Sequence, residues 1–78
     1  MDTYFSTKDF NTLVLLRYHG YKFEQVTYEG ATGKTKRVHV NDTPELRQLL
    51  LNYDNNDVMV KMRDLMRTIE DVKEFVHR

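Results

Sequence analysis

Side chains able to do chemistry are few in this chain, and none sit at a working spacing. There is no cysteine, which excludes disulfides and thiolate metal sites. The 3 histidines, His19, His39 and His77, lie far apart, without the His-x-x-x-His interval that aims two imidazoles from one helix face. Ser6 is the only serine, and it stands where a helix cap is expected rather than beside a base. Glu70, Asp71 and Glu74 fall on the outer arc of a predicted helix, not paired in an apolar setting. The run Gly30-Ala31-Thr32-Gly33-Lys34-Thr35 ends like a phosphate-binding loop. That motif, however, needs an earlier glycine where this chain has Tyr28 and Glu29, and it joins a strand to a helix, whereas here it reads as a turn between two strands. A protein that is not an enzyme, with no metal and no cofactor, is the expectation.

Two clusters could bind rather than react. Lys34, Lys36, Arg37 and His39 make a basic strand beside the glycine loop, with Tyr28 near enough to stack on a base, which is the composition of a wing that touches phosphates. The same charges would also keep an edge strand from pairing with another chain. Residues 1–41 hold six basic and four acidic side chains, net +2, and residues 42–78 hold six and eight, net −2. With a formal net charge of zero, the whole surface is not built to coat nucleic acid or anionic lipid. The second cluster is Met59, Met62 and Met66, running into Leu65, Ile69, Val72 and Val76; methionine suits both irregular cores and surfaces that accept a partner. Leu15 and Phe75 point away from the main stripes of their helices. Together with Met59 and Met66 they form the expected partner-binding patch.

Positioning these groups falls to a small set of elements. Ser6 reads as the cap of a first helix, with Asp9 at its positive end, Phe5 and Phe10 as a hydrophobic staple, and Gly20 as a left-handed stop that lets Tyr21 touch Leu16. Lys22 to Glu29 and Thr35 to Val40 read as a hairpin. Val38 and Val40 share one face and Arg37 and His39 the other, while Phe23 is out of phase with Val26 and Tyr28, so a bulge is expected near Glu24 or Gln25. Thr43 suits an N-cap, Pro44 the first helical position and Glu45 the first turn of a short second helix with Leu46, Leu49, Leu50 and Tyr53 on its apolar face. Asp54-Asn55-Asn56-Asp57 reads as a polar turn whose asparagines accept left-handed backbone and whose Asp57 can cap the next element. Val58, Met62, Leu65, Ile69, Val72 and Val76 then predict a long helix from about Val58 or Lys61 to near the C-terminus, with Arg67–Asp71 and Glu74–Arg78 pairs on its solvent side. The fold class is α+β: N-terminal helix, two-stranded antiparallel hairpin, short helix and long C-terminal helix, in a single domain spanning residues 1–78. Because a lone hairpin is marginal in water, helices must cover its Val38/Val40 face or a second chain must extend the sheet.

The stretch from Phe5 to Phe10, the Gly20 stop, the hairpin that ends in Val38-His39-Val40-Asn41-Asp42-Thr43-Pro44-Glu45-Leu46, and the last helix with Lys73 resemble a small domain of unknown function found in phages, prophages and their bacterial hosts. The resemblance covers nearly the whole chain and rests mostly on caps and stops. It implies a compact helix-and-hairpin protein of phage or mobile-element origin, and it brings no catalytic residues with it. No apolar run is long enough to span a bilayer and no basic segment leads into one, so the protein is expected in the cytoplasm. The expected role is a non-enzymatic interaction module, homodimeric, whose partner is a host or phage protein. The alternative is a nucleic-acid-binding regulator that uses Lys34, Lys36, Arg37 and His39.

Overall fold

In the computed structural model, which describes residues 3–78, the chain begins with a strand rather than a helix cap. Tyr4, Phe5 and Thr7 favour extended backbone, and Tyr4–Thr7 forms β1. Phe5 lies opposite Val40 and Thr7 opposite Val38, so the expected staple between Phe5 and Phe10 is replaced by cross-strand packing. The first helix, α1 (Phe10–Tyr18), therefore starts later than the sequence predicts, and its cap is Asp9 instead of Ser6. The Asp9 carboxylate accepts the Thr12 N–H at 3.0 Å and the Thr12 hydroxyl at 2.8 Å. At the other end Gly20 has φ +79, with Gly20 N–H donating to Arg17 O at 3.1 Å and Tyr21 N–H to Leu16 O at 3.0 Å. These two bonds are the crossed pair of a Schellman motif, so the predicted stop forms where it was expected.

Gln25–Glu29 forms β2 and Thr35–Asn41 forms β3, joined by a loop in which Gly30 (φ +96) and Gly33 (φ +66) take left-handed backbone. The strands lie in the order β1-β3-β2, all antiparallel. The two-stranded hairpin expected from the sequence is thus a three-stranded sheet, because β1 supplies the third strand from within the same chain. Glu24 N–H donates to His39 O at 2.8 Å although Gln25 already faces His39. Two residues oppose one at this point, and the phase break between Phe23 and Val26 is absorbed there.

Thr43 accepts the Leu46 N–H at 3.1 Å and, with Pro44 following, starts α2 (Pro44–Asp54) as predicted. Asn56 takes φ 58 in the turn after it. Asp57 does not cap the next helix; its N–H instead donates to Asn52 O at 2.8 Å and closes the end of α2. Residues 57–61 are irregular, and α3 (Met62–His77) starts without a side-chain cap of its own. The Lys61 N–H at its mouth instead donates to the Tyr18 hydroxyl of α1 at 2.9 Å. Of the ion pairs expected along α3 neither closes among the described residues, and Lys73–Glu70 at 3.6 Å forms in their place.

All three helices feed one core on one face of the sheet. Leu13, Val14 and Leu16 of α1, Leu46 of α2 and Val72 of α3 pack with Val38 and Val40 of β3. Each of these side chains contributes about 1.5–3 kcal/mol by leaving water. The opposite face carries Ser6, Thr27, Glu29, Arg37 and His39, as strand alternation requires. No described helix is long and apolar enough to cross a membrane.

Candidate functional site

An apolar concavity lies between α1, the end of α2, the 57–61 segment and the first half of α3. It is a groove of about 300 Å³ lined by Phe10, Val14, Leu15, Tyr53, Val60 and Leu65, among others. α1 is apolar on every side from Leu13 to Leu16, so while its Leu13 and Leu16 face the sheet, Leu15 is left to floor this groove. The irregular 57–61 segment brings Val58 and Val60 to the groove's wall. On α3 Leu65 and Ile69 line the groove, while Met62 and Met66 of the same helix stand exposed. Met59 is 93% exposed, Met62 71% and Met66 54%, and Leu51, Tyr53 and Val60 are exposed as well. The exposed large apolar side chains from Leu51 to Met66 thus fall in one stretch of the sequence, of which Tyr53 and Val60 border the groove.

The four expected partner-binding residues divide between two places. Met59 and Met66 lie on the exposed stretch, and Leu15 is at the bottom of the groove, only 6% exposed, rather than standing out as a patch. Phe75 is at the far end of α3, half-buried, tilted against Phe23 at 5.3 Å between centroids and covered by Lys36 at 4.8 Å. It belongs to the core margin, because Phe23 leaves the strand face at the bulge and needs a partner there. Tyr53, Val60 and Leu51 were missed by sequence reading; the apolar triplet Val58-Met59-Val60 directly after a polar turn was the available signal.

The basic strand is also split. Lys36 and Tyr28 face each other across β3 and β2 on the helix side of the sheet, where the Lys36 ammonium donates to the Phe75 carbonyl at the end of α3. Arg37 and His39 point to the opposite face. There Glu29 receives Arg37 at 3.0 Å and Lys8 at 3.1 Å, while Thr27 Oγ1 lies 3.0 Å from His39 Nε2. The Arg37 hydrogen bonds, followed by that from Lys8, hold the Glu29 carboxyl below the usual carboxylate range against a small opposing effect of desolvation. Asp42 is lowered in the same way by Arg47, whose guanidinium also lies 5.3 Å from the Phe5 ring. Lys34, Lys36, Arg37 and His39 therefore do not make one continuous cationic wing, since alternation sends them to two faces and Glu29 neutralises one of them.

A family model described as a domain of unknown function, DUF5659, matches residues 2–77. The chain belongs to the DUF5659 family. No curated protein and no solved structure matches it. Membership agrees with the resemblance to a domain-of-unknown-function family, and it brings no assigned residues to this DUF5659 domain. The groove and the cationic faces are thus read from their own chemistry. Among the described residues no group of three or more His, Asp or Glu side chains clusters in a way that could hold a metal ion.

Proposed function

We propose that this DUF5659 domain is a non-enzymatic protein-interaction module of the phage or prophage type, acting in the host cytoplasm. It self-associates as a homodimer through the Leu15 groove and presents the paired surface to a host or phage protein. The observation that carries this reading is an open apolar groove lined by Leu15, Tyr53, Val60 and Leu65, in a domain that also leaves Met59, Met62 and Met66 exposed on α3 and the segment before it. Exposed methionines adapt to an opposing surface without a fixed rotamer. A standard interface needs about 800 Å² from each partner, roughly one-seventh of a surface of 5831 Å². The resemblance to phage and prophage domains supports the setting.

Light scattering across a dilution series tests the self-association. A mass near twice 9.4 kDa is expected at high concentration, and Met66→Glu, which places a charge on the exposed face of α3 without disturbing the core, should return it to the monomer. A strict monomer at every concentration would remove the homodimer from the proposal.

A further inference from the structure

A second concavity, sharing no lining residue with the apolar groove, opens between the hairpin loop and the end of α3. It has a volume of about 620 Å³, within the range of small-ligand sites. Leu13 and Val76 form its apolar floor, and its rim carries Lys8, Lys34, Lys36 and Arg78 with Tyr28 at one side. No carboxylate side chain lines it. The cations are not equivalent. Lys36 is engaged by the Phe75 carbonyl, where it offsets the partial negative charge of the α3 terminus. Lys8 is shared with Glu29 at 3.1 Å. Among the described residues Lys34 and Arg78 have no carboxylate partner, and both border the same space. Tyr28 is 64% exposed; it stands opposite Lys36 across the ladder and borders the same concavity as Lys34 and Arg78.

An isolated phosphate would use the cations and leave the tyrosine idle. A phosphodiester with an unpaired base uses both, because a base withdrawn from its stack can lie on an exposed aromatic ring while the adjoining phosphate meets Lys and Arg. A duplex keeps its bases stacked and offers nothing to Tyr28. We propose that this groove binds single-stranded nucleic acid, with a phosphate held by Lys34 and Arg78 and the neighbouring base stacked on Tyr28. The site differs from a wing on β3: Arg37 and His39 take no part, and Arg78 from the end of α3 joins Lys34.

The test is fluorescence anisotropy of a labelled oligothymidylate with the full chain, over a salt series starting at about 50 mM. Binding at micromolar protein is expected, weakening with salt by a log–log slope of about 0.7 for each phosphate contacted. Lys34→Ala should reduce that slope by about 0.7, whereas Tyr28→Ala should weaken binding about 5- to 150-fold at unchanged slope. Tyr28→Phe should restore it. Lys61→Ala, on the far side of the molecule, should behave as wild type. Thermal melts accompany each variant; both altered side chains are exposed, so their folding should be unaffected. The proposal is overturned by any of four results: absence of binding, a Tyr28→Ala variant that binds as wild type, a Lys61→Ala variant that loses as much as Lys34→Ala, or inorganic polyphosphate competing as well as the oligonucleotide. A failure here leaves the dimer proposal standing, since the two grooves are read out by different variants.

Discussion

Glycine at position 20 is the residue at which sequence and structure agree most closely, and the agreement is physical. An added Cβ there would meet nothing within 4 Å, so any penalty comes from φ +79 alone. Gly20→Ala should therefore lower stability by about 1 kcal/mol, which for a domain of this size is a fall in melting temperature of roughly 4–8 °C. An unchanged or raised midpoint would mean that α1 runs on through Tyr21. Glu29 makes a prediction of a different kind. Its carboxyl is held low in the folded state by Arg37 first and Lys8 second, so the stability it contributes is present above its unfolded value and is lost as pH falls through the folded one. Melting temperature should drop between about pH 5 and pH 2, and Glu29→Gln should flatten part of that drop. A variant whose pH profile superimposes on wild type would show that the pair contributes nothing, as exposed pairs often do.

The elements show what a single sequence can and cannot convey. Thr43-Pro44 and Gly20 were legible because their signals are local: a hydroxyl, a fixed φ and a missing Cβ act within one turn. β1 was not, since only four residues pair and their partners lie on β3, far along the chain. Ser6 was expected as the cap and Asp9 only as a charge in the first turn; Asp9 caps instead because Phe5 pairs with Val40 and draws Ser6 into β1. Asp9→Ala should accordingly cost about 0.5–2 kcal/mol, while Ser6→Ala, whose hydroxyl only accepts a long 3.4 Å bond from Arg37, should cost much less. Denaturant melts of the two variants decide it, and the reverse order would restore Ser6 as the cap. The start of α3 was half legible: of the two starts the periodicity allowed, the one near Lys61 forms, because residues 57–61 turn aside to wall the groove.

For the whole molecule, the helices cover one face of the sheet and leave an apolar groove at one side and a cationic one at the other. The sequence indicated surplus apolar and basic residues but did not show how far Leu15 and Phe75 are covered, because burial of a side chain pointing off a helix stripe depends on which distant segment reaches it. Leu15 is reached by α3 and the 57–61 segment, Phe75 by Phe23. The central claim is that two copies meet through the Leu15 groove together with the exposed methionines of α3 and the segment before it. Methyl NMR spectra of the protein with labelled methionine, recorded over a dilution series, address it most directly. Met59, Met62 and Met66 should shift together with concentration, with a midpoint matching the dimer dissociation seen by light scattering. Methyl signals that stay fixed while the mass doubles would place the interface elsewhere, and fixed signals with a constant monomer mass would contradict self-association altogether.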